Sequence, residues 1–265
     1  MENRIISIVV VLVFIGLGAG WYYYYSHYNE PEQVAAPEST PAPEKPASPA
    51  EPPPIRYPLA AAPADSANPP LPALDDSDSA AQKALADLFD KAMLKRLLNL
   101  DSLVRRVVVT VDNLPRRKIP QQYDLAKPVA GKFLVAGKGD SLSLNFENYR
   151  RYTPYVVLAE TIDMKKLVAM YRYFYPLLQE EYRNLGSQPK QYFNDRVVET
   201  IDDLLAAPNP TGRIKLVQPK VFYEYADPAI EELSAGQKIM IRLGADNAAR
   251  VKAKLKELRR EITAQ

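Results

Sequence analysis

The sequence has no cysteine and a single histidine. The absence of cysteine excludes disulfide bonds, zinc thiolate and iron–sulfur sites, cysteine nucleophiles and a lipoprotein anchor, which needs a cysteine to acylate. The histidine, His27, precedes the part of the chain that can fold. Residues 79–265 therefore lack the groups that Ser-His-Asp hydrolysis, Cys-His proteolysis and histidine-based metal binding require.

Basic residues are scarce in one region and abundant in the next. Residues 30–79 carry 2 Lys and Arg against 9 Asp and Glu, whereas residues 80–265 carry 31 against 22. The net charge of +2 is thus the sum of an acidic segment and a basic domain. We expect the two to attract each other at low salt.

Charge is missing altogether from a run near the N-terminus. Residues 5–19 read IISIVVVLVFIGLGA, and their extension to residue 25 makes about 21 residues, or about 31 Å of helix, which matches a bilayer core. The sequence predicts a transmembrane helix over residues 5–25. The following stretch WYYYYSHY (21–28) is typical of an aromatic belt at the membrane–water boundary, where such rings stay partly wet.

The flanking charges predict the orientation of this helix. Arg4 precedes it, and the next basic residue is Lys45. The positive-inside rule then places residues 1–4 in the cytoplasm and the following chain in the periplasm, as a single-pass protein of a bacterial inner membrane. The alternative is a cleaved signal peptide, with the small residues 18–20 near the cleavage site.

Residues 26–78 are rich in proline and alanine and acidic, with few large apolar side chains. Such a composition cannot bury a core, so the sequence predicts a disordered linker that is partly polyproline. The linker is either a spacer that lets the domain reach away from the membrane or a passive tether. Recognition of its prolines by an SH3-type domain is a third alternative.

Residues 79–265 are predicted to form a mainly α domain with a small β hairpin. The apolar period predicts one helix over 79–100, capped by Ser79, and a second that Asp101 caps, although its VVVTV run has strand propensity. The longest helix is predicted from Asp163 to about Leu185, with Pro176 inside it and Gly186 as its stop.

Further elements follow the same signals. Asn194 is predicted to cap a helix that Pro208 closes, and residues 234–244 and the final basic segment are predicted to be helices. Residues 133–144 alternate around GKGD, which predicts a hairpin, and residues 220–227 favour a short strand.

Four stretches carry a family resemblance. They are VRRVVVTVDNLPRR (104–117), MYRYFYPLLQEEYRNLG (170–186), YFNDRVVETIDDLLAAP (192–208) and LVQPKVFYEYADPAIEELSAGQKIMIRLG (216–244). Together they resemble the uncharacterised bacterial family known as domain of unknown function 3014. The resemblance implies an envelope protein with an N-terminal apolar segment, a proline-rich spacer and this domain. It implies no catalytic residue, because the family has no assigned activity.

Two loop motifs resemble catalytic ones but depart from them. GKFLVAGKG (131–139) has five residues rather than four between its first two relevant glycines, and Gly139 stands where a phosphate-binding loop needs Ser or Thr. A hairpin turn explains it better. Ser187 and Lys190 fit S-x-x-K, but neither of the partner motifs SDN and KTG follows.

Paired carboxylates are the remaining route to catalysis. Glu180 with Glu181, and Asp202 with Asp203, could serve glycoside cleavage, although a solvated helix face is the ordinary interpretation of such pairs. We therefore predict no catalytic residue, no metal and no cofactor, and we retain a carboxylate-dependent cell-wall glycan enzyme as an alternative.

The polar groups near predicted helix ends favour binding over catalysis. Capping of backbone groups is the simple explanation for them. The functional hypothesis is a polar or aromatic cleft, with side chains that stack on a sugar or pair with an acidic group. Its candidate residues are Arg105, Arg106, Asn113, Arg150, Arg151, Arg172, Tyr173, Asn194 and Arg196.

The last predicted helix is strongly basic, with six Lys and Arg between residues 250 and 260. A solvated face or an anionic surface, such as lipid headgroups or cell-wall polymer, would accommodate it. The sequence favours a non-enzymatic, membrane-anchored binding or scaffolding module. Its expected partners are the inner membrane and an anionic envelope component or another envelope protein, with no nucleic acid; an accessory subunit of a membrane complex is the other alternative.

Overall fold

The computed structural model describes residues 54–59, 69–117, 120–161, 163–186 and 191–264. Within these ranges the chain forms nine α-helices and two short β-hairpins, which confirms the mainly helical prediction. The helices are α1 (Ser77–Ala86), α2 (Lys91–Leu97), α3 (Leu103–Asn113), α4 (Glu147–Glu160), α5 (Met164–Asn184), α6 (Phe193–Leu205), α7 (Pro228–Glu231), α8 (Ala235–Leu243) and α9 (Ala245–Thr263). The strands are β1 (Val135–Ala136), β2 (Ser143–Leu144), β3 (Leu216–Val217) and β4 (Glu224–Tyr225).

The two longest helices, α5 and α9, organise the main core. α5 packs against α3 and α9, and α9 packs also against α4 and α6. Apolar residues recur every three to four positions along both helices, so each helix buries one apolar face and exposes the opposite face to solvent. Tyr182 of α5 and Leu255 of α9 have no exposed surface.

The β-hairpins build a second, smaller core. Val135 pairs with Leu144 and Leu216 with Tyr225, and a bridge between Ser143 and Lys215 joins the hairpins. The inward side chains of the strands pack on Ile241 of α8. The predicted hairpin over 133–144 is thus confirmed, and the predicted strand within 220–227 is β4.

The AGQ sequence at the start of α8 has a steric explanation. A Cβ on Gly236 would lie 2.6 Å from Cδ2 of Leu204 and 3.3 Å from the carbonyl oxygen of Leu114. The backbone N–H of Gly236 donates to that same carbonyl oxygen, at 3.0 Å. Glycine therefore lets α8 approach α3 and α6 closely enough for this bond to form.

Several predicted helix starts are wrong. The single helix predicted from Ser79 to residue 100 is two helices, α1 and α2, with Asp90 capping the second. Asp101 does not cap α3; both carboxylate oxygens of Asp78 do so instead, accepting from the backbone N–H groups of residues 102 and 103 at 2.6 and 2.8 Å. Asn194 lies inside α6, whose N-cap is Tyr192.

Two further segments have a defined structure in the described part of the chain. Residues 149–155 belong to α4, which accommodates Pro154. Residues 54–59 and 69–78 contact the domain and include the start of α1 at Ser77, so the predicted disordered linker over 26–78 is wrong for these residues.

The membrane-related predictions fall on other parts of the chain. The predicted transmembrane helix at 5–25 and its aromatic belt at 21–28 lie outside the described residues. Within the ranges that the structure describes, no helix combines the length and apolarity that a bilayer crossing requires.

Candidate functional site

The nine residues predicted to bind a ligand lie at several separate places. Arg105 pairs with the buried carboxylate of Glu181 (Nε to Oε1, 2.5 Å), and its guanidinium lies 5.7 Å from the ring centre of Tyr123. Arg106 pairs instead with Asp101 (Nη2 to Oδ2, 2.5 Å) and donates to carbonyl oxygens of the loop at 122–124. Both arginines therefore have structural partners.

The arginines of α4 and the asparagine of α3 are also engaged. Arg151 donates to the carbonyl oxygens of residues 129–131 at 2.8 to 3.2 Å and so holds the loop before β1. Arg150 is exposed and pairs with Glu147 at 3.3 Å. Asn113 donates to a carbonyl oxygen one turn earlier in its own helix, at 2.8 Å.

Arg172 and Tyr173 lie on α5, away from the other candidates. The Nε of Arg172 is buried and has no hydrogen-bond partner among the described residues. The hydroxyl of Tyr173 donates to the carbonyl oxygen of Pro69 at 2.8 Å, and its ring packs edge-on against Phe174. Tyr173 thus holds the segment that leads into α1.

Asn194 and Arg196 lie in the first turn of α6, where an upstream segment crosses the helix. We call this segment, residues 54–59, the strap. The surface beneath it, which we call the strap groove, lies between the start of α6 and the end of α9. The groove consists of Tyr192, Asn194, Asp195, Glu199 and Arg259.

The carboxylate of Asp195 binds the main chain of the strap. The backbone N–H of Arg56 donates to Oδ2 at 3.0 Å, and that of Tyr57 donates to Oδ1 at 2.8 Å. Two residues further on, the N–H of Leu59 donates to the hydroxyl of Tyr192 at 3.1 Å. Asp195 is only 4% exposed, so these charge-assisted bonds satisfy a carboxylate that has little access to water.

Asn194 binds the carbonyl side of the same main chain. Its fully buried amide donates to the carbonyl oxygens of Tyr57 at 2.9 Å and Ile262 at 3.3 Å, and it accepts from the hydroxyl of Tyr171 at 3.0 Å. Ile262 lies in the last turn of α9, where carbonyl oxygens have no partner within the helix. Asn194 therefore ties the strap to the end of α9.

Side chains of α5 hold the start of α6 in place. Oε1 of Gln179 accepts from the N–H of Phe193 at 2.8 Å and from the hydroxyl of Tyr175 at 3.0 Å. The same hydroxyl accepts from the N–H of Asn194 at 3.2 Å. Burial raises the pKa of Tyr175 and of Tyr171, so both phenols stay neutral donors.

The side chains of the strap meet charged groups of the groove. The guanidinium of Arg56 pairs with Glu199. The guanidinium of Arg259 lies 5.9 Å from the ring centre of Tyr57, within the range of a cation–π contact. Arg259 is itself held by Asp202 (Nε to Oδ1, 2.6 Å). The groove thus offers acidic groups along α6 and one cation at its edge.

Arg196 belongs to an ionic cluster around the buried carboxylate of Asp112. Asp112, 3% exposed, accepts from Arg196 Nε at 3.1 Å and from Arg116 Nη2 at 2.5 Å. Arg196 also reaches Glu199 at 3.2 Å. These contacts join the end of α3 to the start of α6, so the VDNLPRR and NDR sequences have a structural role here.

The basic face predicted on the last helix is largely neutralised. Four of its cations form ion pairs with nearby carboxylates, and Lys252 donates to a backbone carbonyl oxygen at 2.6 Å. A strongly anionic partner would have to displace these contacts. The pairs are Arg250 with Glu160, Lys254 with Glu257, Arg259 with Asp202, and Arg260 with Glu261.

Three of the four candidate catalytic carboxylates are engaged in structural contacts. Asp203 accepts from the Ser234 hydroxyl at 2.7 Å and from the amide of Gln237 at 3.0 Å, while Asp202 and Glu181 each pair with an arginine. Among the described residues, no three acidic, histidine or cysteine side chains are grouped as a metal site would need.

The sequence interpretation missed the strap and most of its groove. Asp195 and Glu199 resemble ordinary solvated acids at i and i+4 of an amphipathic helix. A signal for the strap does exist: Tyr57 is the only aromatic residue between residues 31 and 70, and Ile55 and Leu59 flank it in an otherwise Pro/Ala-rich segment. That local change in composition marks residues that can bind a folded surface.

The fold and site define a class: a mainly helical domain with a groove that holds an extended segment by its main chain. A family model described as "Protein of unknown function (DUF3014)" matches residues 103–259, more than half of the chain. The chain belongs to this family, as the resemblance of the four stretches implies. Searches of the curated proteins and of the solved structures returned no match.

Proposed function

We propose that this protein is a non-enzymatic binding module whose strap groove holds an extended peptide segment. In the structure the strap occupies the groove in cis. We further propose that residues 5–25 anchor the chain in an inner membrane and that the domain faces the periplasm. The supporting features are the long uncharged run, the aromatic residues after it and the placement of Arg4 and Lys45.

One observation carries the binding proposal: a nearly buried carboxylate accepts two successive backbone N–H groups, and the neighbouring amide donates to the carbonyl of the same segment. Main-chain contacts of this kind give affinity for an extended peptide whatever protein it belongs to. Asn194 and Asp195 are buried with the strap in place, so any occupant that covers them must supply their hydrogen bonds, because unpartnered buried polar groups are costly.

The first residues of the strap are largely exposed. Ile55 is 56% exposed, and the side chain of Arg56 is 51% exposed. Segments with few buried apolar contacts open locally at low free-energy cost. A free peptide must nevertheless compete with a tethered one, whose effective concentration is on the order of millimolar. Binding in trans is therefore expected to be weak until the strap is released.

A peptide-binding measurement tests this proposal. The full chain in detergent is titrated against a fluorescent peptide carrying residues 51–62, EPPPIRYPLAAA. The variant Arg56→Pro/Tyr57→Pro removes both N–H donors of the strap, and we expect it to bind the peptide at least about tenfold more tightly than the wild-type chain. Fluorescence anisotropy reports the Kd.

Two further variants control this experiment. Ile55→Pro places a proline next to the hydrogen-bonded pair and is expected to behave like the wild-type chain. Asp195→Asn, added to the strap variant, replaces one carboxylate oxygen by an N–H₂ group that faces a backbone N–H, and we expect binding to be lost. Equal affinity with and without Asp195→Asn would refute the proposal.

The location is tested separately. A reporter that is active only outside the cytoplasm, fused after residue 265, is expected to be active in living bacterial cells, and a cytoplasm-specific reporter at the same place is expected to be inactive. The reverse pattern would remove the membrane orientation from the proposal but would leave the groove unaffected.

The glycan-enzyme alternative receives less support from the site. Of the four candidate carboxylates, Asp202, Asp203 and Glu181 hold structural contacts. The accessory-subunit alternative fits the groove better, since a peptide segment of a membrane complex is a suitable ligand. In-cell crosslinking through the groove is expected to capture one dominant protein in that case.

A further inference from the structure

The proposed peptide-binding function is the basis for a more specific inference about the partner. We infer that the strap groove selects a segment with the pattern basic–aromatic–x–aliphatic, carried by another protein of the same compartment. Each position of this pattern is defined by a contact that the strap makes in cis.

The basic position follows from the acidic line on α6. Asp195 and Glu199 are one turn apart, and Asp202 follows on the next turn. Asp202 is neutralised by Arg259, whereas Asp195 faces the strap main chain and Glu199 pairs with Arg56. A ligand with an acidic residue in place of Arg56 would bring like charges together, so the groove should reject it.

The aromatic position follows from the surroundings of Tyr57. Its ring is partly buried against the main core, and the guanidinium groups of Arg56 and Arg259 each lie 5.9 Å from the ring centre. An aromatic ring gains cation–π and apolar contact here, and an alanine gains neither.

The third and fourth positions differ in their demands. Pro58 is exposed and its imide has no N–H to satisfy, so this position tolerates many residues. Leu59 packs against the main core and donates its N–H to Tyr192. The position before the pattern, Ile55, is largely exposed and should contribute little selectivity.

The same charges favour a peptide over an anionic polymer as the occupant. A polyanion entering the groove would meet Asp195 and Glu199 without a cation of its own, and the one groove cation, Arg259, is already paired. A basic–aromatic segment instead supplies both the backbone donors and the guanidinium that these carboxylates bind in the structure.

The test uses the full-length strap variant Arg56→Pro/Tyr57→Pro and four altered forms of the 51–62 peptide. We expect Arg56→Glu to weaken binding at least about 30-fold, and Tyr57→Ala and Leu59→Ala about 5- to 10-fold each. Ile55→Ala, the matched control, should change the Kd less than twofold.

A charge swap makes the test specific for the Glu199 contact. In the strap variant, Glu199→Arg is expected to weaken binding of the parent peptide and to restore binding of the Arg56→Glu peptide. Arg196, which loses one partner in this variant, retains Asp112. Restored binding of the Arg56→Glu peptide would show that position 56 of the ligand pairs directly with position 199, because a general loss of stability would weaken both peptides.

The possible results distinguish failure of this inference from failure of the proposed peptide-binding function. If no peptide binds the strap variant, the proposed function itself is wrong. If all four altered peptides bind as tightly as the parent, the groove binds peptides without side-chain selection and the inference is overturned. Displacement of the parent peptide by polyglutamate would overturn it as well, because it would identify an anionic ligand.

Discussion

Some buried ionisable groups in this domain are paired, and one carboxylate oxygen has no hydrogen-bond partner among the described residues. Lys238, 2% exposed, pairs with Glu231 at 2.8 Å, and Asp112 lies between two arginines. Asp124 differs, because its Oδ1 is buried and has no hydrogen-bond partner among the described residues. Burial accordingly lowers the pKa of Lys238 but raises that of Asp124 to about 7. The charged form of Asp112 is therefore expected to stabilise the folded protein, and the charged form of Asp124 is expected to destabilise it.

We predict that Asp112→Asn lowers the free energy of unfolding by about 3 kcal/mol, because it leaves the mostly buried Arg196 with only the partly exposed Glu199 as a counter-charge. Urea unfolding followed by circular dichroism measures this change. Glu232→Gln is the control, since its pair with Arg117 is exposed on both sides and should contribute under about 1 kcal/mol. Equal effects of the two substitutions would contradict the structural role of the cluster.

Asp124 is predicted to reduce stability as pH rises. Its pKa is about 7 in the folded protein and about 3.9 when unfolded, so the folded state binds its proton more tightly. Stability from this group is therefore full below pH 4 and is lost between pH 4 and pH 7, by about 4 kcal/mol at most.

The Asp124→Asn variant isolates this effect. Other carboxylates, such as Asp101 and Glu160, have lowered pKa values because of hydrogen bonds to arginine, so their stabilisation grows as pH rises to about 4 to 5 and is complete above that. The difference in unfolding free energy between wild type and Asp124→Asn removes these contributions. We expect this difference to shift in favour of the variant from pH 4 to pH 7. A constant difference would refute the prediction.

At the scale of elements, several helices are capped by side chains from other helices. Asp78 of α1 caps α3, and Gln179 and Tyr175 of α5 satisfy the first N–H groups of α6. Sequence patterns can locate a cap only when it is local, and the local caps Asp163 and Ser234 stand where the predicted helices begin. The predicted caps at Asp101 and Asn194 are wrong because a distant donor or acceptor replaces the local one.

The junction between α8 and α9 depends on Gly244. Its φ of 79° and ψ of 160° belong to a region that is essentially restricted to glycine, and an added Cβ would lie 2.6 Å from the ring of Tyr149. We predict that Gly244→Ala destabilises the protein by at least about 3 kcal/mol.

Gly212→Ala is a suitable control for this prediction. Gly212 also has a positive φ, of 80°, but an added Cβ would meet open space. Gly212→Ala should therefore lower the free energy of unfolding only by the backbone strain, about 1 kcal/mol. Thermal unfolding of both variants separates ring contact from backbone strain; equal losses would show that the Tyr149 contact is unimportant.

At the scale of the whole molecule, the folded body extends beyond the residues that the family model matches. The match begins at residue 103, yet α1 and α2 precede it and bury Leu85, Leu94 and Leu98 to 2% exposure or less. Each such side chain contributes about 2 kcal/mol of burial free energy. These helices are thus part of the core.

We predict that a fragment of residues 69–265 unfolds cooperatively, whereas a fragment of residues 103–265 does not. The shorter fragment exposes the apolar face of α3 and also loses the Asp78 cap. Thermal unfolding followed by near-ultraviolet circular dichroism of the tyrosines measures this difference. A sharp transition in the shorter fragment, at a similar midpoint, would contradict it.

The sequence predicts the helical body well and the groove poorly, for physical reasons. The regular spacing of apolar residues predicts long amphipathic helices such as α5 and α9. The strap contact depends on polar groups such as Asp195, which bind residues more than a hundred positions away in the sequence. A local sequence pattern cannot predict such a long-range contact. Of the nine candidate residues, only Asn194 contacts the strap directly.

Docking of the strap changes how far the body can stand from its predicted anchor. With residue 54 held on the groove, 28 residues separate it from the predicted anchor at 5–25, and an extended polyproline chain of that length would span about 90 Å at about 3.1 Å per residue. Undocking moves the first fixed point to Pro69, which Tyr173 holds, and lengthens that span to about 130 Å. If the proposed membrane anchor is correct, a ligand that displaces the strap lets the domain reach about 40 Å further from the bilayer.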